Sequence, residues 1–166
     1  MFIQHRYPGH LFSAPRSFAS LMELYEQNYI ALRRLCPRLP AQGEHWVSAP
    51  QGAPRLYLSL IEHTRYTSSL ELTHRFDAPP DDILAPSLSV RIYHDARQAE
   101  VLMRHGANPA GSRHPAFGSP DGTGELRARW SANRFLNRWL HYCLGQGHTF
   151  SGGRAARAGS LVPTAE

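Results

Sequence analysis

Two short polar words in the sequence carry the residue types that chemistry needs: Glu62-His63-Thr64-Arg65 and His94-Asp95-Ala96-Arg97. A carboxylate beside an imidazole can orient a general base or supply two metal ligands, and arginine can grip a phosphate with two parallel hydrogen bonds. If the two words meet in space, Glu62, His63, Arg65, His94, Asp95 and Arg97 form one polar rim, which the adjoining Tyr66, Arg91 and Tyr93 extend. A plainer reading competes with this. Sequence neighbours on a strand point to opposite faces, so His94 and Asp95 converge only if a turn reorients one of them. An aspartate at a turn also bonds to its own backbone, and a rim of mixed charges is a solvated ion-pair network without any ligand.

Two hairpins must position these words. Leu88, Val90 and Ile92 alternate with Ser89, Arg91 and Tyr93, and Ala99, Val101 and Met103 resume the pattern after His94–Arg97. That period of two predicts a strand, a polar turn and a returning strand. Leu56, Leu58 and Leu60, then Ser68, Leu70 and Leu72, predict a second hairpin with Glu62–Arg65 at its turn. The tips come together only if both hairpins share an orientation in the sheet. His45–Ser48 reads as a short extra strand.

Helices flank this region. Phe18, Leu21, Met22, Tyr25, Tyr29, Leu32, Leu35 and Cys36 recur at three- and four-residue steps. Ser17 and Ser20 are candidate caps, Ser20 with Glu23 at capping-box spacing, and Pro37 ends the helix. A second helix is expected near Ser131, with Phe135, Leu136, Trp139, Leu140, Cys143 and Leu144 as its stripe and Gly145 as its C-cap. The fold expected is α+β: an antiparallel sheet of about five strands, two hairpins plus a short strand, with an N-terminal and a C-terminal helix packed on one face. Residues 1–16 read as an irregular lead-in, 17–147 as a single domain and 148–166 as a disordered tail. The stretch Asp77–Pro86 reads as a proline-broken loop. Gly106–Gly124 is too rich in Gly, Pro and Ser for regular structure, though a degenerate edge strand can hide in it.

Composition narrows the function classes. The chain has 166 residues, enough for one real core, and a net charge of +5. Arg6, Arg16, Arg154 and Arg157, with Glu166, lie outside 17–145 and leave that region only +2. Every basic side chain counted in that charge is arginine, so the basicity reflects composition as much as phosphate binding. Cys36 and Cys143 are the only cysteines and read as buried, inert thiols. No apolar run is long enough to span a membrane and the N-terminus is a poor signal peptide, so a cytoplasmic protein is expected. His-x3-His, HExxH, Cys-x2-Cys, GxGxxG, GxxxxGK[ST] and GxSxG are all absent, so no metal site or cofactor is expected and the ten histidines read as scattered on the surface.

The words RYT at 65–67, VRIYHDA at 90–96, AEV at 99–101, WLHYCL at 139–144 and LRRLCPR at 32–38 resemble the YqiB-like family of bacterial proteins of unknown function. The resemblance spans Leu21–Gly147 and departs in Gly106–Gly124, a segment more strand-like in the family, and in the C-terminal tail. It implies a small cytosolic protein of one domain and transfers no catalytic residue.

The reading that follows is a non-enzymatic binding or adaptor protein that engages a protein partner through its open sheet face or its hairpin rim. One alternative is RNA or single-stranded DNA held by Arg55, Arg65 and Arg91 with Tyr57 and Tyr93, since arginine and tyrosine on one sheet face can stack bases. Another is a small hydrolase or nucleotide-binding enzyme built on Glu62, His63, His94 and Asp95.

Overall fold

The structure is a computed structural model that describes residues 17–75, 87–105 and 123–151. Its elements run α1 (Phe18–Leu35), β1 (His45–Ser48), β2 (Arg55–His63), β3 (Thr67–Arg75), β4 (Ser87–Tyr93), β5 (Gln98–His105) and α2 (Thr123–Gly145). The five strands form one antiparallel meander in chain order, flanked by a helix at each end as the patterning predicts. Leucine at alternate positions sets the inner face: Leu58 pairs with Leu72 and Leu72 with Leu88, while Leu60, Leu70, Val90 and Val101 make the next row. These side chains are buried, or half-buried at Val101, and the stripes of both helices close over them through Leu32, Leu35, Leu136, Trp139, Leu140 and Cys143.

Both helices meet β5, α1 at Met22 and α2 at Asn133, and they lie side by side on the sheet. The side chain of Asn28 in α1 donates to the Asn133 carbonyl of α2 at 3.3 Å, and the backbone N–H of Phe150 donates to the Leu35 carbonyl at 2.8 Å. One turn earlier on each helix Tyr25 faces Arg129, so the contacts climb both helices in step and the two run parallel. Asn133 also seals the sheet edge: its Oδ1 accepts the backbone N–H of Val101 on β5 at 3.0 Å. An edge strand otherwise offers such groups to any passing chain.

The helix ends differ in detail from the sequence reading. Ser17 is the N-cap of α1, its Oγ accepting from the Ser20 N–H at 3.1 Å, so Ser20 sits inside the first turn and opens no capping box. The second helix begins at Thr123, well before Ser131. Its first two turns hold no fully buried residue among those whose burial is described and are supported by the Glu125–Arg129 pair at 2.7 Å, so no apolar stripe announces them. Its terminator is Gly147 and not Gly145. Gly147 has φ 84°, its N–H donates to the Leu144 carbonyl and the His148 N–H to the Cys143 carbonyl, which is a Schellman closure with Gly147 in the left-handed position. The chain then continues into the core, where His148 and Phe150 are buried at a point the sequence reading assigned to a tail. Residues 1–16, the Asp77–Pro86 loop, nearly all of Gly106–Gly124 and residues 152–166 lie outside the described residues.

Candidate functional site

β2 and β4 run in the same direction, so both hairpin tips emerge at one end of the sheet. They touch: the His94 N–H donates to the Tyr66 carbonyl at 2.8 Å, and Thr67 pairs with Tyr93 just below. The first tip is closed by the Thr64 N–H donating to the Thr67 carbonyl at 2.8 Å, with the Thr64 and Thr67 hydroxyls bonded at 2.8 Å. The second is a four-residue turn in which Arg97 takes the left-handed conformation, φ 54°. A non-glycine residue there costs on the order of 1 kcal/mol.

At the junction of the tips, Ser68 bridges two imidazoles. Its Oγ lies 2.8 Å from His63 Nδ1 and 2.7 Å from His94 Nε2, and the two rings meet edge to face at 6.0 Å. The hydroxyl has one proton, so it donates to one ring and accepts from the other. That geometry suits a neutral pair or a singly protonated one. A second proton would leave the hydroxyl with no ring acceptor and set two charges against each other. Burial holds His94 below the ordinary imidazole range, reinforced by His63 and Arg33 and opposed by the Asp95 carboxylate.

The rim residues thus divide. His63 and His94 come together with Ser68, which the sequence reading placed on the inner face without a role. Glu62, Arg65, Tyr66, Asp95 and Arg97 are all exposed around that junction, with the Arg65 guanidinium 5.1 Å from the centre of the Tyr66 ring. Glu62 and Asp95 stay outside the serine bridge. Ser68 is only 1% exposed, so a substrate cannot reach its hydroxyl without the tips moving.

Arg91 and Tyr93 stand on the outer sheet face. Arg91 pairs in register with Ser69 and Glu100, and the Tyr93 hydroxyl donates to Glu100 Oε1 at 2.6 Å. Burial and that carboxylate push the Tyr93 hydroxyl above its usual range. Tyr57 lies on the same face toward the other end, with Arg75 over its ring at 5.0 Å. The acidic Glu62, Glu71 and Glu100 share the face by register, so its charge is mixed.

A second polar cluster lies at the opposite end, under the C-terminal end of α2, and corrects the picture of surface histidines. His74 and His148 are each 2% exposed, with ring centres 5.5 Å apart. The Trp139 indole N–H donates to His74 Nδ1 at 2.9 Å, which fixes the His74 proton on Nε2, 3.8 Å from Cys143 Sγ. Burial, then the neighbouring His148, pushes His74 down to about 4. His148 is also lowered by burial, and its Nδ1 meets Ser48 Oγ at 3.1 Å. Burial raises both thiols, Cys36 and Cys143, to about 12, and neither is paired. A histidine at an apolar strand position, in register with Leu56, was the available signal for His74; nothing in the pattern marks His148.

Comparison with known proteins places this geometry in a family. The chain belongs to the family described as "Protein of unknown function (DUF1249)", whose model matches residues 31–149. It is similar to the uncharacterized protein YqiB of Escherichia coli strain K12, at 36% identity over 131 residues, 78% of this chain and 90% of the relative. The uncharacterized YqiB proteins of the O6:H1 strain CFT073 and of O157:H7 match to the same extent. No solved structure matches. Both histidine clusters lie inside the family match. No helix among the described residues is long and apolar enough to cross a membrane.

Proposed function

We propose that this chain is a non-enzymatic binding protein whose double hairpin tip docks an acidic segment of a partner protein. The observation that supports it is the joining of the two tips by the His94 N–H to Tyr66 carbonyl bond and by the Ser68 bridge. This sets Arg65, stacked on an exposed Tyr66, and Arg97 at one end of the molecule with little chain entropy left to lose on binding. Arginine and tyrosine are the residue types that anchor interfaces. The hydrolase reading has less support, because the hydroxyl between the two imidazoles, Ser68, is buried and the Glu62 and Asp95 carboxylates stay outside that bridge. The nucleic-acid reading has less too, since three glutamates share the outer face with Arg91 and the Tyr93 hydroxyl is taken by Glu100.

The test is affinity capture from lysate with the wild type and with the double variant Arg65→Ala/Arg97→Ala. The expected result is a reproducible partner that the wild type recovers and the double variant loses at an unchanged thermal midpoint. A partner retained equally by both, or no partner from either, contradicts the reading.

A further inference from the structure

The two imidazoles at the joined tips share one hydroxyl, and that sharing limits the charge they can hold together. Ser68 Oγ lies 2.8 Å from His63 Nδ1 and 2.7 Å from His94 Nε2. In the neutral unit one ring donates to the oxygen and the hydroxyl proton goes to the other ring. One added proton enters at the far nitrogen of the donating ring and leaves the bridge intact. A second has to take the nitrogen that accepts from the hydroxyl. It turns the proton of the buried Ser68 away from its ring acceptor and sets two like charges on rings 6.0 Å apart.

The surroundings oppose even the first charge until a partner arrives. Burial, His63 and the half-buried Arg33 of α1 all disfavour the charged form of His94, and the Asp95 carboxylate opposes them. Arg97 follows in the same turn, Glu62 and Arg65 adjoin His63 in the other tip, and Ser68 of β3 carries no charge. Three arginines thus flank the pair against two carboxylates, which are exposed to water and outside the bridge. An acidic segment reverses this balance, because its carboxylates offset the arginines and supply the counter-charge that an imidazolium lacks. His63 is exposed, so an incoming carboxylate can reach its ring directly.

We propose that docking of an acidic segment takes up one proton into the His63–Ser68–His94 unit, so that the tips bind more tightly as pH falls from neutral to mildly acid. This rests on the docking reading above and adds its regulation. A ligand that raises the proton affinity of the rings is itself bound more tightly, by the same factor, once the proton is there. With one proton per docking event, affinity gains at most about tenfold per pH unit.

The test uses the full chain and a rhodamine-labelled octaglutamate peptide, with binding followed by fluorescence anisotropy from pH 7.5 to 5.5, above the range in which the peptide's own carboxylates titrate. The wild type is compared with Arg65→Ala/Arg97→Ala and with His63→Gln/His94→Gln, whose glutamines can still bond Ser68 but take no proton and which keeps every other histidine. The expected result is binding that strengthens by about threefold to tenfold per pH unit in the wild type and by less than about twofold in the histidine variant. Titration calorimetry of the wild type in two buffers of different ionisation enthalpy counts the protons without any substitution, and should give a net uptake no greater than about one per peptide bound. Affinity independent of pH, equal slopes in the wild type and the histidine variant, or a calorimetric uptake of zero or well above one overturns the proton coupling and leaves the docking reading standing. Absence of binding at every pH, or binding that Arg65→Ala/Arg97→Ala retains in full, overturns the docking reading and this inference with it.

Discussion

Ser68 and His74 show how single polar residues on an apolar strand face are tolerated and what removing them does. Ser68 satisfies two rings with one hydroxyl. Ser68→Ala should therefore lower stability by about 0.5–1.5 kcal/mol, the net worth of the hydrogen bonds, since the exposed His63 ring and the half-buried His94 ring can turn to water instead. A urea midpoint indistinguishable from wild type would mean that the bridge contributes nothing. His74 makes a prediction with a sign. The unfolded imidazole takes a proton near 6.5 but the buried one only near about 4, so the unfolded chain binds more protons in between. Stability is then fully present above pH 6.5 and falls by about 3 kcal/mol as pH drops to 4. Urea midpoints across that range should show it in the wild type, and much less in His74→Asn, whose Oδ1 can still accept from Trp139. A parallel decline in both proteins would assign the pH dependence elsewhere.

Elements were legible where a long periodic stripe defined them and obscure where local chemistry did. The leucines of β2, β3 and β4 specify strand, face and register at once, because a one-residue slip would turn every leucine to water. The stripe from Leu21 to Leu35 does the same for α1. The first two turns of α2 carry no stripe, so propensity and one ion pair hold them where periodicity is silent. The helix ends turned on choices between near-identical signals, Ser17 against Ser20 and Gly147 against Gly145. Gly147 is the one of the two glycines that needs a positive φ. Gly147→Ala should cost about 1–2 kcal/mol through backbone strain, because its added Cβ would meet only Pro50 Cβ at an ordinary 3.8 Å. Gly145→Ala, with open space around it, should be neutral or slightly stabilising. Thermal midpoints of the two variants in the reverse order would refute the assignment of the cap.

At the scale of the whole molecule, the meander and the two parallel helices make two ends with different characters. Trp139 ties them into one core: it is buried against the sheet, packs beside Phe135 and holds His74. Trp139→Ala should lower stability by about 3–5 kcal/mol, whereas the exposed Arg138→Ala one residue away should leave the urea midpoint almost unchanged. Equal midpoints would show that α2 does not close the core. The rim was half legible in the sequence. Its residues were named by type, but whether the tips meet depends on both hairpins pointing the same way, and strand order is a property of the assembled sheet. The course of the chain after α2 was not legible, since nothing local distinguishes two buried residues, His148 and Phe150, from the start of a tail.

The claim that the joined tips are the working end is tested most directly by photo-crosslinking with benzoylphenylalanine placed at Tyr66 or at Tyr142. Both side chains are about half exposed, at 52% and 49%, so reagent access is matched, but Tyr142 lies beside His74 at the opposite end. Irradiation in lysate should give a discrete adduct from position 66 that disappears on adding Arg65→Ala/Arg97→Ala, and none from position 142. Adducts of equal yield from both positions, or from position 142 alone, would contradict it.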